Sequence, residues 1–403
     1  MLLRFRFSNF RSFRDEGELS LIAAGDSDAS RAVFPLPGGK DSVLPACAIY
    51  GANASGKSNV LKALKFVRHA VLQSHRRWEP EGPIPLPVFR ADAASGKAEF
   101  EVDFFVEATR YRFGFKATKE EIIEEWLFAY PNGRRQEWYS RLGPGDITFG
   151  RMLPGDNNII ASLMRKNSLF LSAAAQNNHQ ALLPVYGWFR KSSHLASGNM
   201  RDAAITAEMC LDREKRVQIA DLITRADLGV AGIFVGRQKT GNALTAEKVM
   251  LLHRLGETSA AFEVSDESEG TMTYFSLLGP VLRALEHGTL LAVDEIDSSL
   301  HPSLLAFLVR LFCDKSTNPK CAQLIFNTHD TNLLSDGVLQ RDQIWFTEKD
   351  REGGVSHLYP LSDFKPRPDE NFQKRYLQGR FGAIPFIESE RILDSLNAEA
   401  QPR

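Results

Sequence analysis

The residues Gly51-Ala52-Asn53-Ala54-Ser55-Gly56-Lys57-Ser58 fit the pattern GxxxxGK[ST]. Glycine at both ends lets consecutive backbone N–H groups curl around an anion. A helix that starts at the second glycine aims its positive end at the same point. Lys57 has the reach to touch the β- and γ-phosphates of a nucleotide, and Ser58 offers a hydroxyl to Mg2+. Asn53, Ala54, Ser55 and Asn59 complete the candidate nucleotide-binding set around Gly51 and Gly56. A second cluster is Leu290-Leu291-Ala292-Val293-Asp294-Glu295, an apolar run that ends in two acids. Asp294 could carry a carboxylate to Mg2+, and Glu295 could polarise an attacking water as general base. Many buried strands end in an acid, so this run gains its meaning from the phosphate loop. A third is Asn327-Thr328-His329, after another apolar run. Alone it reads as a capped loop histidine; beside the other two, His329 is a candidate contact to the γ-phosphate. A fourth, Glu267-Ser268-Glu269-Gly270-Thr271, opens a helix, and a Ser hydroxyl with a Gly backbone there makes another anion cradle. The chemistry implied is binding and hydrolysis of a nucleoside triphosphate with Mg2+.

These residues need a strand before the loop and a helix after it. Ala46–Tyr50 is a short apolar run, and from Gly56 to about Gln73 the residues Val60, Leu61, Leu64, Val67, Ala70 and Val71 share one helical face. Toward the other end a helix from Glu269, the strand Leu290–Val293, a helix over Ser303–Phe312 and the strand Gln323–Phe326 alternate. Apolar strands alternating with helices predict a parallel sheet covered on both faces. Pro280 inside the first of these helices predicts a kink or break. Between the two ends, Phe100–Val106, Arg110–Lys116 and Trp126–Tyr130 read as strands. Residues 131–158, rich in Gly, Pro and Asn, read as irregular, as does the loop Gly25–Gly39. Ile159–Phe189 and Asp212–Ala226 read as helical, the latter with Val217, Leu222 and Ile223 inward. Leu3, Phe5 and Phe7 alternate with Arg4, Arg6 and Ser8, which favours an amphipathic strand over a basic targeting signal.

Composition narrows the partners. The 403 residues carry 49 Lys+Arg against 50 Asp+Glu, so nucleic acid could be met only by a local basic patch. Cys47, Cys210, Cys313 and Cys321 are too widely spaced for a zinc motif or a disulfide framework, and reduced thiols in the cytoplasm are the expectation. No apolar run is long enough to span a membrane.

Taken in order, the four motifs resemble the ABC-type ATPase head of the SMC, RecF and OLD proteins. In that resemblance Gly51–Ser58 is Walker A, Leu290–Glu295 is Walker B, Ser268-Glu269-Gly270 is the signature, Ser298–His301 is the D-loop and His329 is the switch histidine. Ser8-Asn9-Phe10-Arg11-Ser12-Phe13 is similar to the N-terminal strand and turn near the nucleotide base, which makes Arg11 and Ser12 candidate contacts. The run Asp294–Pro302, Asn327–Asp330 and the late stretch Tyr376–Pro385 further resemble AAA-annotated ATP-binding proteins of bacterial abortive-infection operons, typically encoded beside a nuclease of RloB-like or TOPRIM type. No Q-loop glutamine can be placed, and the middle of the chain lacks the heptads of an SMC-like arm.

The resemblance implies an α/β ABC-ATPase head, a P-loop parallel sheet with N-terminal antiparallel strands, over residues 1–74 and 266–364. Residues 75–265 would be an inserted mixed lobe, β-rich over 86–130 and helical over 159–226. Residues 365–403 would be a partner or contact segment, with a solvated tail helix as the plainer alternative for Lys365–Arg380. It also implies that Ser268 and Gly270 of one subunit complete the site around Lys57 of another, giving a homodimer or higher oligomer through ATP. The partners would be a separately encoded nuclease effector and a phage-derived trigger. The competing reading is a RecF/SMC-like DNA-repair ATPase that binds DNA directly.

Overall fold

The computed structural model describes residues 1–24, 33–39, 41–90, 96–196, 202–226, 228–240, 244–335, 337–367 and 370–385. Most of the loop expected over Gly25–Gly39, and residues 386–403 of the C-terminal segment, lie outside them. The chain opens with β1 (Leu2–Ser8), β2 (Gly17–Ser20), the short β3 (Phe34–Pro35) and β4 (Ser42–Val43), then β5 (Ala46–Gly51) and α1 (Lys57–Arg77). Next come β6 (Ala98–Val106), β7 (Thr109–Ala117), β8 (Ile122–Tyr130), β9 (Gln136–Leu142) and β10 (Ile147–Phe149). The helices α2 (Asn157–Ser162), α3 (Phe170–Gln176) and α4 (Leu183–Lys191) lead to β11 (Ser193–Leu195). Then follow α5 (Ala204–Leu211), α6 (Arg213–Thr224), β12 (Val230–Thr240), β13 (Leu244–Leu255) and β14 (Thr258–Glu263). The last part holds α7 (Glu269–His287), β15 (Leu290–Val293), α8 (Pro302–Cys313), β16 (Gln323–Asn327), β17 (Ile344–Lys349), β18 (Ser356–Pro360) and α9 (Phe372–Leu377).

The fold is the expected α/β architecture. The central sheet runs β11-β15-β16-β5-β17-β18, parallel throughout except at β18. Its strands are apolar on both faces, as a sheet covered twice requires. Cys47 and Ile49 of β5 face the core shared with α1, while Ala46, Ala48 and Tyr50 face the core shared with α7 and α8. A second, antiparallel sheet, β10-β9-β8-β7-β6-β1-β2, closes the far side of α1. There Phe66 of α1 meets Phe100 and Phe115 at ring separations of 5.1 and 6.4 Å. Leu3, Phe5 and Phe7 are buried as their alternation predicts, and Arg6 on the opposite face pairs with Glu18 and Glu101 of the flanking strands. One sheet therefore joins the N-terminal strands with strands from 98–149, and β11 lends an edge to the central sheet.

Three readings are corrected. Residues 131–158 contain β9, held by its ladder to β8, and β10, held by its ladder to β9, despite the turn-rich composition. In α6, Ile219 and Ile223 are buried but Val217 is 62% exposed, because it lies on the opposite side of the helix. Pro280 does not interrupt α7. Proline removes the N–H that would reach the Ser276 carbonyl. Thr206 of α5 takes its place: its hydroxyl donates to Ser276 O at 3.1 Å and accepts from Gly279 N at 2.9 Å. A Cβ on Gly279 would lie 2.5 Å from that hydroxyl, so glycine permits the approach.

Candidate functional site

The phosphate loop joins the C-terminal end of β5 to α1. Gly51 has φ 154°, and a Cβ there would lie 2.6 Å from both the Ser55 and Thr347 hydroxyls. Gly56 has φ 117° and lies against Ser356 of β18. The Ser55 hydroxyl bonds that of Thr347 at 2.6 Å, which pins the loop to β17. Asn53 and Ala54 form its exposed crown. No side chain caps the start of α1; the Asn59 amide bonds back to Gly56 O at 2.8 Å, and the helix start can offer its Lys57 and Ser58 amides to an anion. Lys57 donates to Gly51 O at 2.8 Å and Ala52 O at 3.0 Å. Burial lowers its pKa, and Glu295, Asp297 and Asp294 oppose that by favouring the charged form.

Strand order brings the other motifs in. β16 lies between β5 and β15, so its C-terminal end falls between the phosphate loop and Asp294. The residue at that end, Asn327, is fully buried. Its amide donates to Asp294 Oδ1 at 2.6 Å and to Ser58 Oγ at 3.4 Å, and its carbonyl oxygen accepts from the Glu295 backbone N–H. Ser58 and Asp294 thus present two hard oxygen donors around one amide, a set that suits Mg2+ completed by water and phosphate oxygens. Among the described residues no cluster of three or more His, Cys, Asp or Glu offers an all-protein cage. Glu295 has φ 56°, a left-handed conformation that costs a non-glycine residue about 1 kcal/mol or more. Its N–H bond to Asn327 helps hold it there. The motif containing Asn327 was readable from sequence, but its role was not.

His329 is exposed, and its N–H donates to Asp297 Oδ2 at 3.0 Å. Partial desolvation of its ring, then Lys57, lowers its pKa; Asp297 and Glu295 oppose this. Asp297 is a site residue that sequence reasoning passed over. Its Oδ1 is buried without a partner.

Ser268 caps α7 and accepts from Thr271 N at 3.2 Å. Gly270 packs on the turn after β15, where a Cβ would lie 2.9 Å from Ser299 O. No hydrogen bond among the described residues joins Ser268 or Gly270 to the loop 51–58. The N-terminal turn reaches the loop's helix indirectly. Ser12 Oγ accepts from Asn59 Nδ2 at 2.8 Å and from Ser356 Oγ at 2.8 Å. Arg11 is exposed, with its guanidinium 5.8 Å from the Phe10 ring and its N–H on Pro87 O.

A backbone anion cradle at the end of a parallel strand, with Lys, Ser and Asp converging beside it, defines an ATP-binding P-loop ATPase. The chain belongs to the family described as "AAA domain, putative AbiEii toxin, Type IV TA system", whose model matches residues 47–335. Among solved structures the chain is similar to the crystal structure of the SmcHead bound to the C-winged helix domain of ScpA. That likeness has 14% identity and a TM-score of 0.49 over 91% of this chain and 99% of that one. No curated protein matches the chain. Among the described residues no helix is long and apolar enough to cross a membrane.

Proposed function

We propose that this chain is the ATP-hydrolysing regulatory subunit of a bacterial abortive-infection system, one that dimerises on ATP to hold or activate a separately encoded nuclease. The observation that carries the hydrolytic part is the convergence of Ser58, Asp294 and the Glu295 backbone on Asn327. In this reading Lys57 exchanges the Gly51 and Ala52 carbonyls for the β- and γ-phosphates. Ser58 and Asp294 would hold Mg2+, which would supply positive charge to offset that developing on the phosphates. Glu295 takes the proton of the attacking water, and His329 contacts the γ-phosphate from the adjacent strand end. Gly270 lies against Ser299 and Ser268 bonds Thr271, neither meeting their own loop, which supports a role toward the loop of a second copy. Family membership and the late stretch Tyr376–Pro385 support the abortive-infection setting, with a phage-derived molecule as trigger and residues beyond 365 as a contact segment.

The test is the native mass and composition of Glu295→Gln expressed from its own locus, with ATP and Mg2+, beside Lys57→Ala. The expected result is an ATP-dependent dimer or larger assembly carrying a nuclease, absent in Lys57→Ala. A monomer with ATP, or wild-type hydrolysis by Glu295→Gln, overturns the reading.

One observation favours the DNA-repair alternative. α1 contains no acid, and its exposed Lys62, Lys65, Arg76 and Arg77 enter no ion pair among the described residues. Exposed Arg190 and Lys191 lie beside it, since Arg68 of α1 donates to the Phe189 and Arg190 carbonyls. DNA-stimulated hydrolysis with a steep salt dependence would select this alternative.

A further inference from the structure

The late stretch Tyr376–Pro385 has no part in the chemistry above, yet it is docked on the site. Tyr376 is buried, with its ring 5.9 Å from Tyr50, the residue before the phosphate loop, and stacked on Phe346 at 5.4 Å. Its hydroxyl donates to Ala383 O at 3.1 Å, which folds the stretch back on itself. Burial pushes that hydroxyl up to about 12, opposed by the backbone N–H of Gly51. Phe381 also stacks on Phe346 at 5.8 Å, and Tyr359 donates to Phe381 O at 3.0 Å. Gly382, at φ 65°, makes the turn possible, because a Cβ would lie 2.7 Å from the Tyr359 hydroxyl.

One turn before Tyr376, Gln373 Nε2 donates to Thr331 Oγ1 at 3.1 Å and to Asn332 Oδ1 at 3.3 Å. These residues open the 3-10 turn Thr331–Leu334, two positions after His329. The same turn is gripped elsewhere. Tyr50 donates to Asp330 O at 3.1 Å, and Asp297 accepts from His329 N at 3.0 Å. Asp330 caps the turn by accepting from Asn332 N at 2.9 Å. A single element thus touches the strand that carries the phosphate loop and the turn that follows His329.

We propose that residues 372–385 are a strap that sets His329 relative to the phosphate loop, with Gln373 as the positioning residue that transmits it. This rests on the reading of His329 as a γ-phosphate contact. Gln373 is half-buried and its contacts are polar, so its truncation leaves the aromatic docking intact.

The experiment uses the full chain with Gln373→Ala, His329→Ala and the double variant. ATP affinity is read from a fluorescent ATP analogue, turnover from phosphate release, and the turn from amide exchange over 329–334. For Gln373→Ala, affinity should stay within about 2-fold while kcat falls about 5–10-fold. Exchange over 329–334 should rise, and the loss should vanish in the His329→Ala background. Wild-type kcat, or a loss that multiplies with that of His329→Ala, overturns the proposal. If His329→Ala itself turns over normally, the γ-phosphate reading fails; unchanged exchange in Gln373→Ala then overturns the strap on its own.

Discussion

Asn327→Asp changes one atom in a residue that is fully buried, and its consequence can be worked from geometry. The amide that donates to Asp294 Oδ1 at 2.6 Å becomes a carboxylate oxygen facing another. At an effective dielectric of about 20, two charges at that separation repel by about 6 kcal/mol. The pair avoids this by keeping a proton. For a carboxyl with an ordinary pKa near 3.9, that costs about 4 kcal/mol at pH 7 and about 1.5 kcal/mol at pH 5. The sign follows from proton uptake. The folded variant binds a proton that the unfolded chain has lost, so the penalty is absent below about pH 4 and grows as pH rises. The bond from the Glu295 N–H survives, because the aspartate still offers an acceptor there. Urea unfolding of variant and wild type at pH 7.5, 6 and 5 measures the gap, and Mg2+ with ATP should narrow it by placing a cation between the carboxylates. Equal stability at pH 7.5, or a gap that does not shrink toward pH 5, would refute the placement of Asn327 against Asp294.

Thr206→Val keeps shape but removes the hydroxyl that serves Ser276 O and Gly279 N. With the Ser276 carbonyl left without its donor, a loss of about 1–3 kcal/mol is expected in urea unfolding; a loss under about 0.5 kcal/mol contradicts the account of Pro280. Among the described residues neither ring nitrogen of His194 in β11 finds a partner, both are buried, and burial holds its pKa down at about 3. Between about pH 6.5 and 3 the unfolded chain binds a proton that the native one refuses, so native stability falls as pH falls. His194→Leu should therefore gain about 2 kcal/mol on wild type between pH 7 and pH 5, and a difference that stays constant with pH refutes the assignment.

The legible parts of this molecule are those whose cause is local. β1 announces itself by alternation, and α1 by six apolar positions on one face. β9 and β10 did not, because flanking Gly and Pro mask strands that form by pairing, β9 with β8 and β10 with β9. The phase of α6 was misread at Val217, since a short helix with scattered apolar residues fixes its inward face only by packing. Pro280 signalled a break because the hydroxyl that serves the Ser276 carbonyl lies 70 residues before that carbonyl in the chain, on another helix.

The site divides the same way. By itself the sequence determined the phosphate loop, because eight contiguous residues and their flanking strand and helix contain the whole device. It also marked Asp294, Glu295 and His329, each at the end of an apolar run. Which of these would meet was decided by tertiary structure. The insertion of β16 between β5 and β15 sets Asn327 between Ser58 and Asp294, and no local rule fixes strand order. Thr347, Ser356 and the strap reach the loop from about 300 residues later in the chain, by burial of aromatic rings against β5 and β17. Such contacts depend on which surfaces remain uncovered once the sheet has formed, and that is a property of the assembled fold rather than of any segment.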